Sequence, residues 1–383
     1  MLPLLQAINE KMESYIKDHT KSDEDIELKE IMGKFSMDAL ASCAFGVDSG
    51  TFANQNSESE FVKHAKIIFD FANPWQIFQF LTALFTPKMV KQFFSKIGFK
   101  NIATVPALKS QEFLQNVVEA SIKQRRESKT TRNDLVDMMI DALEDKLDIT
   151  EDDAYANDQY EKDSKLIGHV KKTKSVTYDH VISTATVMLV AGYDTTATTM
   201  SYILYELALN QDCQETLFEE IENAKNGRLT YDTIQSLPYL EAVIHETLRR
   251  HPVVSVLERP CTKEYKMPDT NLIIRKGDLV RVNNIGICFD PDIFPNPEEW
   301  NPDNFTKENR ADRNPYSFMA FSLGPRNCLA MRFAMFEMKV CISHLVSKFK
   351  ILSTAKTCKN VQVDPRQLLG GAKGGLWIRF EER

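Results

Sequence analysis

The stretch Phe321-Ser322-Leu323-Gly324-Pro325-Arg326-Asn327-Cys328-Leu329-Ala330 decides how the whole chain is interpreted. A single cysteine follows a Gly-Pro turn and directly precedes a segment, 333–349, whose apolar residues recur at helical spacing. Cys328 is therefore expected at or just before a helix N-terminus. Unpaired N–H groups and the helix dipole there stabilise an anionic sulfur, which predicts a lowered pKa for the thiol.

Two neighbouring residues strengthen this expectation. Arg326 adds positive charge two residues before the cysteine, and Gly324 allows a tight turn or close approach of the backbone to a flat partner. A thiolate presented in this way can act as a nucleophile or as a metal ligand. The alternative is a buried structural cysteine beside a turn, which is the commoner role of an arbitrary cysteine.

The spacing Phe-x-x-Gly-x-Arg-x-Cys-x-Ala in this stretch resembles the haem-binding loop of the cytochrome P-450 family. The resemblance implies that Cys328 is the axial thiolate ligand of a haem iron (iron protoporphyrin). It also implies that Arg326 meets a haem propionate, that Phe321 packs under the ring near the sulfur, and that Gly324 lets the loop approach the ring. Arg259, which follows an apolar run at 253–256, is implied as a second propionate ligand.

Composition excludes several other classes of protein. A chain of 383 residues, 43% of them hydrophobic, can bury a large core, so overall disorder is excluded. The net charge of −7 disfavours a nucleic-acid partner. Seven scattered cysteines without a Cys-x-x-Cys pair argue against a disulfide framework and for a reducing compartment. No apolar run reaches the roughly 18 residues that span a bilayer, and no basic region precedes the apolar start.

The fold class expected is mainly α with small β-sheets, and the resemblance makes it the cytochrome P-450 fold. Helical spacing predicts two helices within 4–45 and further helices over 109–126, 134–143, 177–209, 210–225 and after Leu237-Pro238. Leu272–Ile274 and Leu279–Val282 are predicted to form a β-hairpin around a Lys-Gly-Asp turn. A glycine turn at 374–375 is predicted to lead into a terminal strand.

Two segments stand out by composition. Nine of the 23 phenylalanines lie within 61–99, which indicates either a buried helical hairpin or an apolar lid over a pocket or membrane surface. The resemblance favours the lid. The segment 144–174 is acidic and then basic with little apolar periodicity, and is predicted to be a solvated linker.

The predicted helix 177–209 carries Ala-Gly-Tyr-Asp-Thr-Thr at 191–196, although glycine costs about 1 kcal/mol in a helix interior. Spacing alone favours helix packing at small residues, with Thr195 bonding back to a carbonyl one turn before it. The segment is similar to the oxygen-activation segment of the family, however. The resemblance implies catalytic roles for both side chains: Thr195 would hold water beside bound O2, and Asp194 would bring in protons from solvent.

Glu246 and Arg249 lie on one face of a predicted helix, and such pairs are usually exposed and weak. The resemblance implies a buried pair that organises the segment leading to the haem loop. Family members commonly place Arg in a Pro-x-Arg-Phe segment that joins this pair, but the chain has Asn304 there. The charged third member of the network is therefore missing.

The resemblance covers essentially the whole chain, and 1–383 is expected to be one partial catalytic domain. The membrane anchor, the main sheet and the first helices of the family pattern are expected to be missing before Leu4. The implied activity is haem-dependent monooxygenation, in which one atom of O2 enters an apolar small molecule. Electrons would come from NADPH through NADPH-cytochrome P-450 reductase, with cytochrome b5 as a further donor, since no Gly-rich nucleotide motif follows a strand.

The location implied by the resemblance is the cytoplasmic face of the endoplasmic reticulum, with a membrane surface as partner of the full-length protein. Two alternatives stay open. The first is an isomerase or dehydratase acting on a peroxide with the same fold, against which the presence of both Asp194 and Thr195 argues. The second is a non-catalytic or haem-deficient fragment of such an enzyme.

Overall fold

The computed structural model describes residues 1–20, 24–52, 59–69, 106–144, 176–225, 229–311, 313–365, 367 and 369–383. Helices dominate this part of the chain and the strands are short and antiparallel, which confirms the mainly α fold class. The expectations for the aromatic segment after Phe69 and for the charged linker lie outside the described residues.

The helices and strands are numbered in chain order. The helices are α1 Leu2–Thr20, α2 Leu28–Leu40, α3 Glu60–Phe69, α4 Pro106–Ser128, α5 Leu135–Leu143, α6 Tyr178–Leu209, α7 Gln211–Ala224, α8 Tyr231–Gln235, α9 Pro238–Arg250, α10 Asn284–Cys288, α11 Lys307–Ala311 and α12 Met331–Lys348. The strands are β1 Ile26–Glu27, β2 Val256–Pro260, β3 Tyr265–Lys266, β4 Ile273–Ile274, β5 Leu279–Asn283, β6 Phe349–Ser353 and β7 Trp377–Glu382. A π-helical turn, Ala41–Phe45, extends α2.

The described residues group into two compact units. Within the described ranges given above, the first comprises residues from 1–144, 176–236 and 332–383, and the second comprises residues from 237–331. The first unit contains α1 to α8, most of α12 and the sheet formed by β1, β6 and β7. The second contains α9 to α11 and the strands β2 to β5.

Helix boundaries follow the capping residues in the sequence. The Thr177 side chain accepts a hydrogen bond from the His180 N–H, and the His180 side chain accepts one from the Thr177 N–H, so α6 begins where predicted. Asp134 caps α5 through the N–H of Asp137. Pro238 occupies the first position of α9, where the missing N–H costs nothing.

The core of the first unit lies between α2, α4, α5 and α6. Its buried residues include Met37, Leu40, Phe45, Leu114, Val118, Val136, Ile182, Leu189 and Tyr193. The pairing of α2 with α6 depends on a small residue, because a Cβ at Gly192 would lie 3.0 Å from a methyl carbon of Leu40. Gly192 therefore serves helix packing, as the spacing alone favoured.

The sheets correct one prediction for the second unit. β4 pairs with β3, and β5 pairs with β2, so the predicted hairpin between 272–274 and 279–282 is wrong. The Lys-Gly-Asp turn exists, but it connects β4 of one strand pair to β5 of the other. The backbone of Cys261 holds this turn, since its N–H donates to Asp278 O and its carbonyl accepts from the N–H of Gly277. The apolar run at 253–256 enters a strand only at Val256, and this strand, β2, continues to Pro260.

In the first unit, β7 lies between β1 and β6 in an antiparallel sheet. Glu27 pairs with Trp377 and Phe349 with Glu382, so the end of the chain is fixed beside α2 and α12. The predicted terminal strand is thereby confirmed. Among the described helices, none is long and apolar enough to cross a membrane.

Candidate functional site

The loop before α12 presents Cys328 at the surface of the second unit. The N–H of Cys328 donates to Phe321 O at 2.8 Å, and the N–H of Asn327 donates to Gly324 O at 2.9 Å. Ser322 and Gly324 both have positive φ, 60° and 84°, so the chain reverses sharply between them. These bonds close the loop into a small ring of backbone with the thiol on its exposed side.

The prediction of a lowered thiol pKa is wrong for the free side chain. α12 begins three residues after Cys328, at Met331, so the thiol lies beyond the reach of the first helical turn. Surrounding atoms desolvate the sulfur although part of it meets solvent, and this raises its pKa, while the N–H of Ala330 acts in the opposite direction. Coordination to a metal ion would deprotonate such a thiol outright.

Arg259 on β2 forms hydrogen bonds with the loop that carries Cys328. Its guanidinium donates to Ser322 Oγ at 3.0 Å and approaches Arg326 O at 3.5 Å, and it also donates to Glu258 O at 2.8 Å. The guanidinium of Arg259 therefore lies beside the backbone of Arg326, a second predicted cofactor residue, at this ring of backbone. Both are exposed.

Apolar side chains are exposed on the segments that adjoin Arg259. They are Val254, Val256, Leu279, Val280 and Ile285. Leu329, directly after the cysteine, is 78% exposed. Solvent-exposed aliphatic residues grouped around cationic side chains suit a large apolar group with anionic substituents.

The Glu246–Arg249 pair is completely buried in α9, as the resemblance implied. Two guanidinium nitrogens of Arg249, Nε and Nη2, each lie 2.7 Å from a carboxylate oxygen of Glu246. The guanidinium also donates to the carbonyl oxygens of Cys288, Pro297 and Glu299. Arg249 therefore holds the segment after α10 against α9.

Asn304 takes the place of the missing cation without replacing its charge. Its Nδ2 donates to Glu246 Oε1 at 3.2 Å, and the N–H of Asn301 donates to the same oxygen at 2.8 Å. Burial raises the pKa of Glu246, while the guanidinium of Arg249 and these donors lower it. The buried cluster thus contains one cation and one carboxyl group, held by neutral donors.

In the first unit, Thr195 makes the local bond that its spacing favoured. Its hydroxyl donates to Ala191 O at 2.8 Å, four residues earlier in α6. Thr198, Thr199 and Ser201 make equivalent bonds to the carbonyls of residues 194, 195 and 197. A hydroxyl bound in this way still has lone pairs that can accept a hydrogen bond from water or substrate.

Asp194 has a partner that the sequence did not reveal. Lys29 Nζ at the start of α2 lies 2.7 Å from Asp194 Oδ1 and 3.3 Å from Asp194 O, and it also contacts the Thr198 hydroxyl. Lys29 and Asp194 are separated by 165 positions, so no local motif could indicate the contact. A long apolar contact between α2 and α6 brings them together.

The residues present fit an iron porphyrin. The accessible thiol is a soft ligand suited to iron, and the guanidinium of Arg259 lies beside the cysteine loop with exposed aliphatic groups on the adjoining strands. Combined with a mainly helical fold, this donor set defines the class of haem-thiolate proteins. Comparison with known proteins agrees.

A sequence model described as Cytochrome P450 matches residues 1–377. The chain is similar to cytochrome P450 6k1 of Blattella germanica, with 32% identity over 390 aligned residues, 99% of this chain and 70% of the relative. It is 32% identical to cytochrome P450 6B7 of Helicoverpa armigera, over 96% of this chain and 68% of the relative. Cytochrome P450 6B1 of Papilio polyxenes is 30% identical, over 100% of this chain and 72% of that protein.

The chain belongs to the cytochrome P450 family. Membership makes it a monooxygenase, an oxidoreductase with haem iron as its cofactor. It also implies O2, a redox partner and a small-molecule substrate.

Proposed function

We propose that this chain oxidises an apolar small molecule with one atom of O2, using a haem held by Cys328. The observation that carries the proposal is the closed loop of 321–328, which presents an accessible thiol and is bonded through Ser322 to the guanidinium of Arg259. Haem, when bound, supplies the iron centre that activates O2, so that one oxygen atom enters the substrate and the other leaves as water.

The residues around the thiol have distinct roles in this proposal. Cys328 would hold the haem iron through its thiolate, and the guanidiniums of Arg259 and Arg326 would hold the propionates, for which a planar cation is well suited. Phe321 packs against the ring near the sulfur. Gly324, buried and at positive φ, keeps the loop compact because a side chain there would be strained.

Thr195 and Asp194 deliver protons to the oxygen during the reaction. The Thr195 hydroxyl is fixed by its bond to Ala191 O and orients a water molecule through its free lone pairs. Asp194, whose carboxylate contacts the solvent-accessible Lys29, is the group through which protons enter from outside. The Lys29 contact fixes which rotamer Asp194 adopts at rest.

The substrate, the electron donor and the location are also proposals. An apolar substrate is supported by the concentration of phenylalanines within 61–99 and by the exposed aliphatic residues of the β2–β5 ribbon. Electrons are proposed to come from NADPH through a separate reductase, with cytochrome b5 as a second donor. The protein is proposed to act at the cytoplasmic face of the endoplasmic reticulum.

The test is the carbon monoxide difference spectrum of the reduced protein. The haem-loaded chain should show a thiolate-type Soret band, and Cys328→Ser should abolish it because a hydroxyl is a poor ligand for this iron. Cys358→Ser is the matched control, since Cys358 is also an exposed thiol but lies in another part of the chain. It should leave the band unchanged.

Three results would argue against the proposal. A thiolate band that persists in Cys328→Ser would remove the ligand assignment. Failure of this chain to take up haem, when a chain extended to the full length of the relatives does so, would support the alternative of a haem-deficient fragment. Product formation from peroxides alone, without electron transfer, would support an isomerase or dehydratase.

A further inference from the structure

Glu337 is a buried acid for which the proposed reaction has no use. It lies on α12, nine residues after Cys328, and is 0% exposed. Within the described part of the chain, neither of its carboxyl oxygens makes a hydrogen bond of normal geometry. Buried carboxyl groups rarely lack a partner, because an unpaired charge in the interior strongly destabilises the fold. A neutral carboxyl group without hydrogen bonds destabilises it less.

Among the residues that the structure describes, the ionisable groups that interact with Glu337 carry no positive charge to balance an ionised carboxylate. The ionisable groups that interact with it are the thiols of Cys341, one turn later on α12, and of Cys43, in the π-helical turn after α2. Burial raises the pKa of Cys43 to about 11 and that of Cys341 well above its ordinary value, so both thiols are neutral at physiological pH. Burial likewise raises the pKa of Glu337 to about 8, with the Ser36 side chain acting weakly in the opposite direction.

Ser36 connects this acid to the oxygen-activation segment. It lies on α2, is fully buried and is the side chain that acts to lower the pKa of Glu337, while its hydroxyl donates to Gly192 O on α6 at 3.5 Å. Gly192 is also the residue against which Leu40 packs, two positions before Asp194. Three helices of the first unit, α2, α6 and α12, therefore meet around one serine.

A serine hydroxyl has a single proton to donate, which makes the ionisation state of Glu337 decisive. An ionised carboxylate only accepts, so it would draw the Ser36 proton toward itself and away from Gly192 O. A protonated carboxyl can instead donate to Ser36 Oγ, which leaves the Ser36 proton for the Gly192 carbonyl. Only the protonated form satisfies all three groups in one chain of hydrogen bonds.

We propose that Glu337 is a positioning residue that works in its protonated form, donating to Ser36 so that Ser36 holds the Gly192 carbonyl and fixes α6 next to Asp194 and Thr195. The protonation of Glu337 and the order of the hydrogen bonds do not depend on the role of Thr195. Only the expected effect on catalysis rests on the proposed function.

The first experiment is infrared spectroscopy of the wild-type chain and of Glu337→Gln as a function of pH. The wild-type protein should show a carbonyl band of a protonated carboxylic acid at pH 6 that disappears with a midpoint near pH 8. The band should be missing from Glu337→Gln. Its absence from the wild-type protein at pH 6 would overturn the proposal.

The second experiment compares the stability of the same two proteins between pH 5 and pH 10. The folded-state pKa of Glu337 lies above its ordinary value of 4.5, so the folded state binds the extra proton between these values. The wild-type protein should therefore lose stability relative to Glu337→Gln as pH rises from 5 to 8, by up to about tenfold in the unfolding equilibrium constant per pH unit. Above pH 8 the two profiles should run parallel. Parallel profiles throughout the range would overturn the proposal.

Catalytic coupling supplies the third readout in the haem-loaded protein. At pH 7, Glu337→Gln should couple electron use to product as the wild type does, because the amide also donates to Ser36. Ser36→Ala should release more peroxide, and combining it with Glu337→Gln should add nothing. Wild-type coupling in Ser36→Ala would contradict the link to Gly192, whereas loss of haem uptake in every variant would count against the proposed function alone.

Discussion

Lys29 Nζ lies 2.7 Å from Asp194 Oδ1, and this contact fixes the start of α2 to the oxygen-activation segment of α6. The two side chains are 27% and 16% exposed, so the pair is partly shielded from water. Shielding strengthens the attraction relative to a surface pair without the full desolvation cost of a buried one. The contact is therefore expected to stabilise the fold as well as to position Asp194.

The contribution of the Lys29–Asp194 contact to the free energy of unfolding can be measured by a double-mutant cycle with Lys29→Met and Asp194→Asn. We expect a coupling free energy of about 1 kcal/mol, read from urea unfolding, because the pair is partly buried. The Lys63–Glu60 pair on α3, whose side chains are 52% and 60% exposed, is the control and should give about 0.3 to 0.5 kcal/mol. Equal coupling in the two cycles would mean that burial adds nothing to the Lys29 contact.

Thr195→Ala is expected to divert electrons into peroxide release, since it removes the hydroxyl that orients water. We expect a loss of coupling of about tenfold or more with little change in the free energy of unfolding, as general acid–base contributions are at least of this size. The measurement is the ratio of product formed to electrons consumed. Thr186→Ala is the matched control, because Thr186 makes the same bond to a carbonyl four residues earlier on α6. Tight coupling in Thr195→Ala would remove its proton-delivery role.

Asn304→Asp should destabilise the protein more than Asn304→Ala. The aspartate would place a second carboxyl group about where Asn304 Nδ2 now donates to Glu246 Oε1, and the like charges would share a single guanidinium. We expect a loss of about 1 kcal/mol for the alanine and about 2 to 3 kcal/mol more for the aspartate at neutral pH. Chemical denaturation of both variants measures the difference. Equal losses would show that Asn304 only fills space.

Asp137→Asn should remove an acid-sensitive contribution to stability. Burial works to raise the pKa of Asp137, but the N–H groups of Arg132 and Asn133 and the guanidinium of Arg125 more than offset it, so the pKa lies below 3.8. The stabilisation is therefore present above pH 3.8 and is lost as pH falls through the lower, folded-state value. We expect the variant to be about 1 to 3 kcal/mol less stable at pH 7.

The check is a series of unfolding measurements from pH 7 down to pH 2. The difference between wild type and Asp137→Asn should shrink as pH falls below 3.8. Asp141→Asn, one turn later on α5, serves as the control. A difference that stays constant with pH would show that the lost stability comes from packing and not from charge.

Local signals in the sequence predicted the helices well. α6 begins after the Thr177 cap and α5 after the Asp134 cap, because capping bonds form within three residues and need no tertiary contact. The predicted hairpin failed for the opposite reason. The turn around Gly277 is local, but β4 before it pairs with β3 and β5 after it pairs with β2, so neither strand pairs with the other across the turn. The turn residues alone do not show which partner each strand takes.

In the candidate site, too, the local features could be predicted from the sequence and the tertiary contacts could not. The spacing around Cys328 indicated the ligand loop, and the structure provides a turn with positive φ at Ser322 and Gly324 to form it. The contact of Lys29 with Asp194 and the neutral donor that Asn304 gives to the Glu246 carboxylate could not be predicted. Lys29 reaches Asp194 only because α2 packs on α6, and the neutral donor from Asn304 stands where the family pattern leads one to expect a cation.

The five acceptors of Arg249 bear on the dynamics of the chain. The segment 289–301 consists of turns and bends, yet two of its carbonyls, together with that of Cys288, are bound by one buried guanidinium on α9. Arg249 keeps its Glu246 partner if this segment opens alone, but its buried N–H groups then lose two carbonyl acceptors, and unsatisfied buried donors are costly. We therefore expect the segment to open together with α9 and its protected amides to exchange with solvent at the rate of that helix.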